Sequence, residues 1–291
     1  MKYEGPIYRP PSEANSLLIQ ATIGCPHNRC TFCLVYKNGP EYRVRDVVEI
    51  KREIDEAAED HGFQIQTLFF PSGNTIAMDT RQLAEICRHA RKKFPNLERI
   101  TVYGSSQYIH QKGLKALQYL ADSGLSRIHV GLESGDDKIL RKIRKGCLSE
   151  KQVQAGKWVI ESGMELSLYV ILGIGGLEGS EAHALATARA LNQIEPHFIR
   201  LRTFVPKVNT PLLEDVQKGV FKMLGPHGVL RETKTLVANL TCNSYLTSDH
   251  YTNYINVEGR LPEDRERVIS KIDLALSKDE NRFRSFFIGD Q

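Results

Sequence analysis

"GCPHNRCTFC", residues 24–33, gathers three of the chain's six cysteines into nine of its 291 positions. Cys25, Cys30 and Cys33 are separated by four residues and then by two. Three thiolates on one loop make no tidy set of mutual disulfides, but they can hold a metal. A structural zinc site takes four ligands, usually as two pairs on two loops. Here the fourth would have to be His27 or a distant cysteine. An iron–sulfur cluster accepts cysteines at this close spacing, and three of them leave one iron of a four-iron cluster open to a cofactor or substrate. Cys87, Cys147 and Cys242 do not show metal spacing, and Cys87 falls in the apolar stripe of a helix.

Outward from this loop the chain alternates strand-like and helix-like segments. SLLIQATIG (16–24) is a short apolar run that ends in the cysteines. A helical period follows over 46–62, then TLFFPSG (67–73) reads as a strand. Helix 78–94, with Asp79 as its cap, leads to strand 99–106, helix 111–124 and strand 127–135. Helices 136–146 and 149–163, the second capped by Ser149, precede strand 166–176, helix 180–194 and strand 198–206. Six strands each followed by helix predict an α/β fold of parallel strands with right-handed crossovers. A doubly wound open sheet and a full or partial β/α barrel both satisfy this pattern, and both place functional groups at the C-terminal strand ends. Those ends carry the thiols, Pro71 to Thr75, Ser105 to Gln107, Glu133-Ser134, a glycine run at 173–176, and Arg200, Arg202 and Lys207.

Bulk composition narrows the class. With 41% hydrophobic and 25% charged residues the chain reads as a soluble globular protein. The net charge of +4 admits an anionic ligand, but no Lys/Arg block makes a phosphate-binding stripe, which disfavours nucleic acid. Residues 1–16 lack an apolar signal core, and no apolar run reaches the roughly 18 residues of a membrane span. Few, unevenly placed cysteines argue against a disulfide scaffold, so a cytoplasmic setting is expected. Residues 1–15 read as an N-terminal extension, 16–225 as the repeat, and 226–291 as an extension packing on it that ends in an amphipathic helix from Glu263 to about Ser277. Arg141, Lys142, Arg144 and Lys145 read as a solvated helix face.

Cys30-Thr31-Phe32-Cys33, with an aromatic residue before the last cysteine at the end of the first strand, resembles the radical S-adenosylmethionine superfamily. HVGLESGDDKILRKIRKG (129–146) is similar to the fourth-strand segment of the branch containing oxygen-independent coproporphyrinogen oxidases and the Elongator catalytic subunit. VILGIGG (170–176) resembles its adenine-contacting fifth strand and FVPKVNTPL (204–212) its sixth-strand exit. One departure is visible: the family's usual first gap is three residues and here it is four. A one-residue bulge, accommodated by Pro26 and Asn28, would absorb it.

The resemblance implies a partial (β/α)6 TIM-like barrel, a [4Fe-4S] cluster on Cys25, Cys30 and Cys33, and S-adenosylmethionine at the open iron. It implies one-electron cleavage to a 5′-deoxyadenosyl radical that abstracts hydrogen from a small or medium organic substrate, with a flavodoxin- or ferredoxin-type electron donor. Phe32 is expected to pack over the cluster. Ser72, Gly73 and Asn74 stand where the family has a Gly-Gly-Glu stretch meeting the methionine amino group; without that carboxylate, backbone carbonyls would accept. Glu133, with Ser134 beside it, is expected to meet the ribose hydroxyls. Ile171, Leu172 and Gly173 are expected to form the adenine shelf, where glycine permits close approach. Arg200 and Arg202 alternate onto one strand face and would meet a carboxylate or phosphate, or else pair with a rim acid such as Glu133. Tyr103, Gln107 and His250 are candidates for lining the substrate space. No residue is assigned as hydrogen donor or acceptor. Two other readings stay open: a metal-stapled binding protein without catalysis, and an RNA-modifying enzyme of the same superfamily.

Overall fold

The computed structural model describes residues 2–5, 7–37 and 39–290. After a short 3₁₀ turn at Pro11–Glu13, the expected first strand is broken into β1 (Leu17–Leu18) and β2 (Thr22–Ile23). Only β1 joins the parallel sheet, pairing with β4. β2 turns away and pairs antiparallel with β3 (Arg43–Val44), so the cysteine loop is the excursion of a small hairpin. An apolar run reports burial but not a change of partner, which is why the break escapes the sequence pattern.

The remaining elements follow in chain order: α1 (Val47–His61), β4 (Thr67–Phe70), α2 (Thr80–Lys93), β5 (Arg99–Gly104), α3 (Ser106–Asp122), β6 (Arg127–Glu133), α4 (Asp137–Lys142), α5 (Ser149–Glu161), β7 (Glu165–Leu172), α6 (Gly176–Ile194) and β8 (Phe198–Thr203). Then come α7 (Pro211–Gln217), α8 (Pro226–Ala238), β9 (Ser244–Thr247), β10 (Glu258–Leu261) and α9 (Arg265–Leu276). Aspartates start three of the helices. Asp46 accepts from the Val48 and Glu49 amides, Asp79 from Arg81 and Gln82, and Asp136 from Lys138 and Ile139. Each such cap stabilises by about 1 kcal/mol. Ser149 is itself the first residue of α5, and its amide donates to Asp137 Oδ1 (2.9 Å).

The large sheet has the strand order β1-β4-β5-β6-β7-β8-β9-β10. Chain order and spatial order agree throughout. A doubly wound sheet reverses at a switch point, whereas a barrel wall does not. β1 and β10 remain edge strands, so the wall is that of a partial TIM-like barrel. Leu68, Phe69, Phe70, Ile100 and Ile128 are fully buried, as strands covered on both faces require. The C-terminal segment does more than pack on the repeat: β9 pairs parallel with β8, and β10 returns antiparallel.

The chain divides into two compact units. One comprises residues 1–28, 35–130 and 158–166, and the other 29–34, 131–157 and 167–291. The division passes inside the cysteine loop, after Asn28. In the first unit, Glu13 is fully buried and collects Ser16 Oγ (2.7 Å), Arg99 Nη2 (3.2 Å) and His129 Nε2 (3.2 Å). These contacts outweigh burial, the largest influence on its carboxyl, and hold it down at about 2. In the second unit, Ile139, Leu140, Ile143, Ile174, Phe204, Leu212 and Phe221 form an apolar cluster.

Candidate active site

Asn28 takes a left-handed φ of 39°, a region that asparagine tolerates, and its Nδ2 donates to Tyr36 O (2.9 Å). In the same unit Gly73 lies against the loop's first half. A Cβ at this position would stand 2.6 Å from Tyr36 Cε2, 3.0 Å from Cys25 Cβ and 3.0 Å from Gly24 O. Only glycine leaves Cys25 its place. Ser72 and Asn74 are buried and already engaged: Ser72 Oγ accepts from Gln20 Nε2 (3.1 Å), while Asn74 exchanges hydrogen bonds with the Ser105 hydroxyl (3.0 Å) and amide (3.1 Å). Their side chains brace the strand ends.

In the second unit, residues 30–33 are held by two backbone bonds. The Thr31 amide donates to Ile143 O (3.0 Å), and the Leu212 amide donates to Thr31 O (3.1 Å). Phe32 packs on the apolar cluster of α4, α7 and the β7 and β8 exits, and Ile171 packs on the same cluster. Sequence reading placed Lys145 on a solvated helix face. The structure turns it inward: Nζ donates to Glu133 Oε1 at 2.7 Å, and both side chains are 11% exposed. Gly131 makes room for this, since a Cβ there would lie 2.0 Å from Glu133 Oε1. Burial pushes the ammonium down, but Glu133 and the nearby Cys30 and Cys33 thiols outweigh it and raise its pKa. Glu133 itself has a left-handed φ of 62°, an uncommon conformation that aims its side chain back toward Lys145.

Ile171 and Leu172 lie on opposite strand faces. Ile171 registers with Arg202, while Leu172 lines a small cavity beneath α8 with Val229, Leu230 and Thr233. Gly173, with φ 79°, donates its amide to Glu232 Oε1 (2.6 Å), and Glu232 Oε2 accepts from Ser180 Oγ (2.5 Å). Burial pushes this carboxyl up to about 7. Ser134 Oγ meets His183 Nδ1 (2.8 Å), and His183 Nε2 lies 3.2 Å from Ile171 O. Burial holds that imidazole at about 4, so it is neutral. Glu232 and His183 thus support both strand ends, and sequence reading missed them; a glutamate inside the apolar stripe of α8 was the available signal.

Among the other candidates, Gln107 lies in the first turn of α3, which starts five residues earlier than its periodicity indicated, and its Oε1 is buried without a hydrogen-bond partner among the described residues. Tyr103 stacks edge-on against Phe69 (5.0 Å between centroids). Arg200 is buried and stands 3.9 Å from Asp249; Arg202 donates to His250 Nε2 (2.9 Å).

The donor set suits an iron–sulfur cluster. Cys25, Cys30 and Cys33 are half-buried thiols outside any disulfide. Burial pushes Cys87 up to about 12 and Cys147 up to about 11, and raises Cys242, which keeps those three protonated. Among the described residues no three His, Cys, Asp or Glu side chains are gathered at metal-holding distance.

Residues 19–188, more than half of the chain, match the radical SAM superfamily, and the chain belongs to it. Its members are enzymes that use a [4Fe-4S] cluster and S-adenosylmethionine, with a reductant and a substrate. Over 173 residues the chain is 25% identical to the 4′-phospho-dehydrooxetanocin synthase of Priestia megaterium, covering 54% of this chain and 23% of that protein. Over 269 residues it is 24% identical to the tRNA-2-methylthio-N(6)-dimethylallyladenosine synthase of Clostridium tetani, covering 87% and 55%. The chain therefore spans about a quarter to just over half of these relatives. Its fold is shared with the coproporphyrinogen III oxidase of Escherichia coli, a radical SAM enzyme: TM-score 0.55, 15% identity, 92% of this chain and 60% of that one. No helix among the described residues is long and apolar enough to cross a membrane.

Proposed function

We propose that Cys25, Cys30 and Cys33 hold the [4Fe-4S] cluster and that the chain acts on a small or medium organic substrate. The observation that carries this reading is the braced Cys30–Cys33 turn, which sets Phe32 on the same apolar cluster as Ile171 and puts a buried lysine beside two of the thiols. When bound, the cluster supplies the electron for reductive cleavage of S-adenosylmethionine, whose radical product removes hydrogen from the substrate. The residues provide position and dryness. Phe32 shields the loop from water. Lys145 offsets thiolate charge. Glu133 Oε1 is taken by Lys145, which leaves Oε2 to accept from a ribose hydroxyl. Ile171 and Gly173 offer an apolar contact and a close backbone, while the backbone of residues 72–74 meets the methionine amino group. Tyr103, Gln107, Arg200, Arg202 and His250 line the substrate side.

Anaerobic reconstitution tests the reading. The expected result is a brown protein with about four irons per chain that releases 5′-deoxyadenosine when given a low-potential reductant. One zinc per chain with neither iron nor sulfide would instead establish a metal staple. The tRNA-modifying relatives favour a second reading, an RNA substrate. Salt-sensitive binding of an anticodon-stem RNA would support it.

A further inference from the structure

Three cations follow one another at the exit of β8. Arg200 and Arg202 share a strand face two residues apart, and Lys207 follows at the start of the loop. Arg200 is 9% exposed, and its Nε is buried with no hydrogen-bond partner among the described residues. Its ion pair with Asp249 is long, 3.9 Å. Arg202 gives one N–H to His250 Nε2 (2.9 Å), and His250 Nδ1 lies 2.7 Å from Thr252 Oγ1 and 3.3 Å from the Thr252 amide. Burial and the charges of Arg202 and Lys207 push His250 down to about 4, so it is neutral and cancels none of the arginine's charge.

The Lys207 carbonyl accepts from Thr210 Oγ1 (2.7 Å), while its Nζ has no hydrogen-bond or ion-pair partner among the described residues. Its side chain folds across Gly289, where a Cβ would stand 2.4 Å from Nζ. The strand-like bridge between Lys207 and Gly289 fixes that crossing, and Val208 donates to Gly289 O (3.0 Å). Burial and Arg202 lower the Lys207 ammonium's pKa, against weaker opposing influences from Asp290 and Cys33. Arg200 and Arg202 thus share a strand face, with Asp249 at 3.9 Å from Arg200, and Lys207 stands near enough to Arg202 to feel its charge.

We propose that Arg200, Arg202 and Lys207 bind a phosphomonoester group carried by a small-molecule substrate. This rests on the radical SAM reading for its catalytic purpose, but not for the binding itself. A carboxylate is satisfied by one arginine fork, whereas a tetrahedral dianion takes donors from several directions and suits forks joined by a lysine point charge. Its two charges relieve the repulsion between Arg202 and Lys207. Three cations at one strand end make a local site, in contrast to the extended basic stripe that tracks a nucleic-acid backbone.

Titration of inorganic phosphate into the full chain at fixed ionic strength, without iron or S-adenosylmethionine, tests the site independently of the cluster. One saturable phosphate per chain is expected, displaced by phenyl phosphate. Arg202→Gln and Lys207→Met should each weaken it tenfold or more, and Arg202→Lys should restore part of the loss. Arg200 stays unchanged in these variants because it is buried, and far-UV circular dichroism verifies their fold. The proposal is overturned if acetate binds as tightly as phosphate, if the variants bind phosphate normally, or if no saturation occurs. Displacement of phosphate by S-adenosylhomocysteine would assign the cations to the cofactor's carboxylate and also overturn it. Displacement by a short RNA at lower concentration than phenyl phosphate would do the same in favour of a nucleic acid.

Discussion

Lys145 and Glu133 form a buried ion pair, Nζ to Oε1 at 2.7 Å, although they stand twelve residues apart on either side of α4. Removing one partner strands the other charge in a poorly hydrated place, which costs about 3–5 kcal/mol. Lys145→Met and Glu133→Gln should each destabilise by that order in urea unfolding. The double variant should lose less than the sum of the two, because the stranded charge is gone. Additive losses would show that the pair is not coupled.

Gly73→Ala places a methyl group against Cys25 and Tyr36. The cysteine loop must shift while the sheet does not. Reconstituted iron per chain should fall clearly, with the far-UV circular dichroism unchanged. Full iron content in this variant would mean that the loop has slack.

Thiol labelling of the iron-free chain should separate the six cysteines. Iodoacetamide at pH 8 should modify Cys25, Cys30 and Cys33, and leave Cys87, Cys147 and Cys242 unmodified while the chain is folded, since burial keeps those thiols protonated and covered. Reconstitution should protect the first three. Peptide mass spectrometry reads both results.

Glu13 and Glu232 predict opposite pH limbs. Glu13 is depressed to about 2, so its stabilisation is present above the unfolded carboxyl pKa and lost as pH falls toward 2. That limb is on the order of 3 kcal/mol and should flatten in Glu13→Gln. Glu232 is raised to about 7, so its favourable neutral form holds below the unfolded pKa and is lost as pH rises through 7. Glu232→Gln keeps a neutral side chain that still accepts from Gly173 and donates to Ser180. Its stability relative to the parent should therefore rise between pH 5 and pH 8, by roughly 3 kcal/mol. Denaturant unfolding across pH measures both, and parallel curves for parent and variant would refute either assignment.

The serial β/α order, the helices capped by Asp79 and Asp136, and the strands at 67–70 and 127–133 were legible because each depends on local periodicity and local hydrogen bonding. The cysteine spacing and Phe32 were legible for the same reason. Lys145 was misread because its partner lies across α4, and a basic helix end looks alike whether it meets water or a buried carboxylate. Glu13 was hidden in a polar N-terminal stretch, and Glu232 in an apolar helix stripe; each is defined by partners that come from other parts of the chain.

By itself, then, the amino-acid sequence determined the α/β repeat, the thiol loop at the end of its first strand and the class of chemistry that such a loop supports. Tertiary structure alone decided between barrel wall and doubly wound sheet, since strand order is a matter of long-range pairing. It also decided that β2 leaves the sheet, that Lys145 turns inward to Glu133, and that Lys207 comes near Arg202. Local burial patterns say that a side chain is covered; only the assembled chain says by what.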